Sequence, residues 1–254
     1  MTLFLTTLSA QVDLGYQLPH KDILDLADAP LPPALRINAD ATKGLLLYRK
    51  SYKSIQELSE EELRLAGLRI NPVTNISSRQ RYYYDATLLD IKTGNETKIK
   101  GLPAAARLSN FSMSPDQRKM AFTNTTTKGV ELWVVDIFNG QLNKLTQDNL
   151  NANMGRPFTW MKNSETLVIK VLPKQRQALI DVQTAVPTGP TISVNEGKKA
   201  QNRTYQDLLK NKNDEANFES LAMCDLYKVN LNGQTEAFMP TAIYRGMSFS
   251  PDGE

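Results

Sequence analysis

Cysteine and histidine are nearly missing from this chain, and each shortage closes off chemistry. Cys224 is the one cysteine among 254 residues, so no internal disulfide framework and no cysteine-based zinc site can form. It lies beside an apparent strand, where a buried structural thiol is expected. A cysteine nucleophile needs a histidine base, and the single histidine, His20, stands next to Pro19 near the N-terminus, where it reads as a surface residue. For the same reason no Ser-His-Asp triad can be assembled from these residues. None of the glycines opens a Gly-x-Ser-x-Gly nucleophile elbow, a glycine-rich phosphate loop is lacking, and no His-Glu-x-x-His pair is present. No catalytic residue, cofactor-binding motif or metal-ligand set is therefore expected within the chain. Charge of one sign is also scarce: a formal net charge of +3 argues against a nucleic-acid partner. No apolar run is long enough to span a membrane as a helix.

What remains is ordinary globular material, 41% hydrophobic and 22% charged, enough for a sizeable core. It is organised as a repeat. Asn110-Phe-Ser-Met-Ser-Pro-Asp116 returns as Gly246-Met-Ser-Phe-Ser-Pro-Asp252, with a degenerate copy at Phe158-Thr-Trp-Met-Lys-Asn163. Each copy is an alternating segment running into a turn, followed by a second strand at Lys119–Thr123 or Thr166–Lys170. A second element recurs with it. Ala86–Asp90, Glu131–Asp136 and Asp225–Asn230 each run into a glycine turn, at Gly94, Gly140 and Gly233, and then into another strand. The unit is four strands repeating every ~40–50 residues, the period of a propeller blade. The expected fold is all-β: a β-propeller of four-stranded antiparallel blades, with three blades and the start of a fourth in this chain.

The blades are expected near residues 34–100, 101–147, 148–240 and 241–254, after an extension over 11–33. Two insertions interrupt the repeat. Ser54–Gly67 has helical apolar spacing with Gly67 as its C-cap. The stretch Leu172–Ser220 is longer, with a short helix expected at Thr204–Lys210. Ahead of them, Leu3-Phe-Leu through Leu8-Ser-Ala10 reads as the tail of a signal peptide cut after Ala10, which implies a periplasmic or secreted protein.

The insertions carry a resemblance. Gly15-Tyr-Gln-Leu-Pro19 and Asp25-Leu-Ala-Asp-Ala-Pro30-Leu-Pro-Pro33 come first, then Leu65-Ala-Gly-Leu-Arg-Ile-Asn-Pro72 with Asn75 and Ser78-Arg79. Pro187-Thr-Gly-Pro190, Asn195-Glu-Gly197, Arg203-Thr-Tyr-Gln-Asp-Leu-Leu-Lys210 and Asp214-Glu215 follow in order. Together they resemble the glutamyl endopeptidase branch of the prolyl oligopeptidase superfamily of serine peptidases. Arg81-Tyr-Tyr-Tyr84 departs from that branch's pattern. The resemblance implies a propeller that restricts access to an α/β-hydrolase domain of the same polypeptide. Peptides cleaved after Glu would be the substrates, and the triad would lie outside this sequence. It also draws attention to Arg79 and Arg81 in Ser77-Ser-Arg-Gln-Arg81 as substrate-binding residues, since a guanidinium can hold a carboxylate bidentately. The simpler role for Arg79 is to pair with Asp90 or Glu61 and tie the insertion to its blade. A different class of function, a non-enzymatic secreted or periplasmic propeller that binds partners, fits the same repeat.

Overall fold

A computed structural model describes residues 17–181, 197 and 207–250. In chain order, the elements open with α1 (Lys21–Ala27), β1 (Ala34–Ile37), β2 (Lys43–Tyr48) and α2 (Ile55–Leu58). Three short strands follow, β3 (Leu63–Leu65), β4 (Leu68–Asn71) and β5 (Ile76–Ser77), then β6 (Asp85–Asp90) and β7 (Glu96–Lys98). Next come β8 (Leu108–Met113), β9 (Lys119–Thr125), β10 (Val130–Asp136) and β11 (Leu142–Lys144). The chain continues through β12 (Phe158–Trp160), β13 (Thr166–Val171), α3 (Lys212–Ala222), β14 (Cys224–Asn230) and β15 (Thr235–Ala242).

The strands build three antiparallel four-stranded sheets, ordered β1-β2-β6-β7, β8-β9-β10-β11 and β12-β13-β14-β15. This is the blade unit that the repeat predicts, three times over. Each third strand ends on an Asx residue whose side chain accepts from backbone N–H groups of the turn beyond it. Asp90 accepts from Thr93, Asp136 from Phe138 and Asn139, and Asn230 from Asn232 and Gln234. Gly94, Gly140 and Gly233 close those turns at φ of 71°, 77° and 79°, the left-handed region open to glycine at little cost. The turns after the first strands are also equivalent. Asn38 N–H bonds to Lys43 O, Ser114 to Lys119 O and Met161 to Thr166 O.

The strands of the second and third sheets are apolar on both faces because each of these two sheets is packed on both sides. From the second sheet, Ala121, Val130, Leu132 and Val134 meet Phe158, Trp160, Leu167, Ile169 and Val229 of the third. From its opposite face, Met120, Phe122 and Val135 meet Leu45, Leu47, Ala86 and Leu88 of the first. The far face of the third sheet, Val168, Cys224 and Leu226, is covered by Tyr244, Met247 and Phe249. Cys224 is buried as expected of a structural thiol, and desolvation pushes its pKa up. Turn-to-turn bonds tie the sheets together at one end: Ala39 N–H to Gln117 Oε1 at 3.0 Å, and Asp116 N–H to Ser164 Oγ at 2.9 Å.

Two helix expectations are corrected. Ser54–Gly67 is not one helix: α2 stops after one turn, and Leu63–Asn71 is a hairpin. Ser54 and Glu57 form a reciprocal capping box that starts the helix, with Ser59 as its C-cap. Beyond it, Ala66 and Gly67 take φ of 51° and 78°, a two-residue hairpin turn rather than a helix C-cap. The helix expected at Thr204–Lys210 falls partly outside the described residues, and 207–210 are not helical. The helix is α3, started by Asn211, whose Oδ1 accepts from Asp214 N–H, with Asp214 and Glu215 in its first turn. The sequence reading also missed α1, which His20 begins by accepting from Asp22 N–H. Residues 1–10, expected to be the tail of a signal peptide, and the motif copy's Pro251-Asp252 lie outside the described residues.

Phe122 is 1% exposed and stacks on Phe111 at the interface of the first two sheets. Phe122→Ala should cost about 3–5 kcal/mol in a chemical-denaturation titration, the usual cost of an emptied core site. A loss below about 1 kcal/mol would mean the sheets are not packed as described.

Candidate functional site

The two insertions leave the repeat at equivalent places. One joins β2 to β6, and the other joins β13 to β14, each between the second and third strands of its sheet. In the middle sheet the same connection is the short turn Thr126–Gly129. Insertions in equivalent loops emerge at the same end of the array, and here they fold onto one another. Leu65, Ile70 and Leu221 form a shared core with Leu63, Leu68, Leu209 and Phe218. Strands β3, β4 and β5 form their own sheet, and the hairpin turn is fastened by Gly67 N–H to Asp207 O at 3.0 Å.

The last turn of α3 holds no basic residue, so its free carbonyls need other donors. Three asparagine amides supply them. Asn151 Nδ2 donates to Leu221 O at 3.0 Å and Met223 O at 2.9 Å. Asn153 and Asn75 Nδ2 also donate to Leu221 O, at 2.6 and 3.3 Å. Asn75 comes from the first insertion, and Asn151 and Asn153 from the link between the second and third sheets.

Glu62 is the electrostatic centre of this module. Its Oε1 accepts from Arg69 Nη1 at 2.8 Å and Arg64 Nε at 3.1 Å. Its Oε2 accepts from Ser78 Oγ at 2.6 Å and Arg79 Nε at 3.3 Å. Arg69 Nε reaches on to Asp207 Oδ2 of the second insertion at 2.7 Å. The Ser78 hydroxyl, then Arg69, Arg79 and Arg64, hold the Glu62 carboxyl at about 2. Neighbouring Glu60 accepts from Asn71 Nδ2 and from Arg107 Nη1, each at 2.8 Å. Arg107 in turn donates to Thr125 O and Thr126 O, so this ion pair fixes the module to the second sheet.

Arg79 pairs with Glu62, rather than with Asp90 or Glu61. Asp90 is engaged by Lys43 Nζ at 2.6 Å. The Arg79 side chain is 67% exposed, and Arg81 is exposed two residues on. A groove of about 810 Å³ runs between α2 and the entry to β8. Lys50, Glu57, Glu61, Tyr84, Arg107 and Thr126 are in its walls, whereas Arg79 and Arg81 are not. Tyr84 donates to Glu57 Oε1 at 2.7 Å, and Lys50 lies over its ring. Among the described residues no three His, Cys, Asp or Glu side chains are grouped to hold a metal ion. The arrangement offers binding chemistry, guanidiniums and carboxylates on a fixed frame, with no described nucleophile–base pair.

Glu62 has a depressed carboxyl pKa, so it stabilises the fold at pH values above its ordinary value of 4.5. That contribution is lost as pH falls toward about 2. Glu62→Gln should lower the melting temperature at pH 7 and flatten its decline between pH 4.5 and 2. A variant whose melting curve parallels the wild type through that window would contradict the assignment.

No family model matches the chain. Among curated proteins, it is 34% identical over 94% of its length to a probable chloroplastic glutamyl endopeptidase of Oryza sativa subsp. japonica. It is 31% identical over 95% of its length to the Arabidopsis thaliana protein of the same name. The chain spans 27% and 26% of those two proteins. Among solved structures, Pyrococcus horikoshii acylaminoacyl peptidase overlaps it with a TM-score of 0.40 at 12% identity, covering 84% of this chain and 26% of that one. A putative TolB from Agrobacterium tumefaciens overlaps with a TM-score of 0.34 at 12% identity, covering 89% and 74%. Along nearly its whole length, then, the chain is similar to proteins named probable glutamyl endopeptidase, and it spans about a quarter of their length.

Proposed function

We propose that this chain is the propeller portion of a prolyl-oligopeptidase-type serine peptidase that cleaves peptides after Glu. In this reading the propeller gates substrate access to an α/β-hydrolase domain in the same polypeptide and is itself non-catalytic. The observation that carries it is the match to proteins named glutamyl endopeptidase over 94% of the chain, insertions included. The lack of a nucleophile elbow and the single histidine agree with a non-catalytic portion. Arg79 and Arg81 are proposed to line the path of the acidic side chain. Arg79 supports this by its exposure and by the Nε tether that holds its guanidinium in place. A periplasmic or secreted location rests only on Leu3–Ala10. The relatives' names say chloroplastic and give it no support. No helix among the described residues is long and apolar enough to cross a membrane.

Two measurements test the reading. Residues 1–254 should leave Glu-containing chromogenic peptides uncleaved and take up no fluorophosphonate, and stoichiometric labelling of a serine here would refute the non-catalytic role. In the full-length protein, Arg79→Ala should cut the preference for Glu over Gln peptides by about 1.5–3 kcal/mol, a charge-assisted hydrogen bond's worth. An unchanged Glu/Gln ratio of kcat/KM in a folded variant would remove Arg79 from the path. Full-length protein with no peptidase activity at all would favour the non-enzymatic binding propeller.

A further inference from the structure

Three guanidiniums and two carboxylates meet around Glu62, leaving one positive charge in excess. The three arginines are not used alike. Arg69 is 20% exposed and spends both Nε and Nη1 on Glu62 and Asp207, which makes it the internal strut. Arg64 and Arg79 each touch Glu62 through Nε alone, one on each carboxylate oxygen. Their side chains are 59% and 67% exposed, and their terminal nitrogens have no partner among the described residues. An Nε tether leaves the end of the guanidinium, the Nη pair, directed away from the residue that holds it. That end can still grip an oxyanion with two parallel hydrogen bonds.

From this we infer that Arg64 and Arg79 form a two-pronged anion site, held open by Glu62, for peptides carrying two neighbouring carboxylates. One free charge in excess would attract a single carboxylate weakly and without geometry. Two forks anchored on opposite oxygens of one carboxylate present two preset grips, which suit an acidic pair such as Glu-Glu. Glu62 is the positioning residue. Because Ser78 and Arg69 hold it ionised down to about pH 2, it keeps both forks in place at any pH where the ligand is itself charged. Arg64 lies in β3 and Arg79 just beyond β5, the two outer strands of the insertion sheet, so the site is built on paired backbone rather than on one free loop. The inference extends the acidic-substrate reading given to Arg79 but needs no peptidase activity, since it is a statement about binding by this module.

The test is direct binding to full-length protein first treated with a fluorophosphonate, so that no peptide is consumed. The probes are acetylated, amidated peptides that contain Glu-Glu, Glu-Gln or Gln-Gln at one position. The Glu-Glu peptide should bind at least about tenfold tighter than Gln-Gln, with Glu-Gln between them, and the gap should shrink with added salt. Arg64→Gln and Arg79→Gln should each lose most of that preference and melt like the wild type, because both side chains are exposed. Arg64→Lys and Arg79→Lys keep the charge without the fork and should lose the preference too. Equal binding of Glu-Glu and Gln-Gln would overturn the site. So would retention of the preference in the lysine variants, which would assign it to diffuse charge. If the binding preference fails while the Glu/Gln ratio of kcat/KM still depends on Arg79, only this inference falls. If the ratio is flat and the binding preference stands, only the specificity reading does.

Discussion

A sheet that is apolar on both faces cannot stand alone in water, and that constraint organises this chain. Leu132 and Val134 point to one side of the middle sheet while Phe122 and Val135 point to the other, and both sides are shut off from solvent. Each sheet is therefore stabilised by its neighbours more than by itself, as in other repeat architectures. The consequence shows where a neighbour is lacking in the described residues. On the outer face of the first sheet, Leu35 and Ile37 are 49% and 47% exposed, although their spacing matches that of the buried strands. Since the blade faces are consumed by packing, chemistry that varies must reside in the connections.

The connections here do more than decorate. Two insertions far apart in sequence occupy equivalent loops, so the repeat itself delivers them to the same place. They then become one body through the shared core around Leu221 and the ion pair between Arg69 and Asp207. The body is fixed to the frame at polar points. Asn75, Asn151 and Asn153 satisfy the end of α3, and Arg107 joins Glu60 to the backbone of the second sheet. Buried amide-to-carbonyl bonds are directional, so they set the orientation of the module in a way that apolar contact alone would not. A guanidinium mounted on such a body has a defined address even when its tip is in solvent.

The sheets were legible in the sequence because two signals coincide in every blade: an alternating apolar run and a glycine turn preceded by Asp or Asn. Asp136-Ile-Phe-Asn-Gly140 predicts its own hydrogen bonds, since the carboxylate can reach only the N–H groups just ahead of it. The insertions were less legible. Ile55, Leu58, Leu63 and Leu65 have helical spacing, yet Leu63-Arg-Leu65 and Leu68-Arg-Ile70 also alternate, and the Ala-Gly pair between them decides for a hairpin. The helix α3 was signalled by Asn211 ahead of Asp214 and Glu215, a cap and an acidic first turn. The partner of Arg79 could not be read at all. Glu60, Glu61 and Glu62 are chemically equal in sequence, and only the hairpin's register turns Glu62 toward Ser78 and the arginines.

The position of every side chain around Glu62 depends on the two insertions being a single folded unit. Native-state hydrogen exchange on the full-length protein, wild type and Leu221→Ala, measures this most directly. Leu221 is fully buried in α3 between the insertions, and truncating it should lower protection in α3 and in β4 together, by similar free energies. Loss of protection in α3 with β4 unchanged would show two independent insertions and contradict the account.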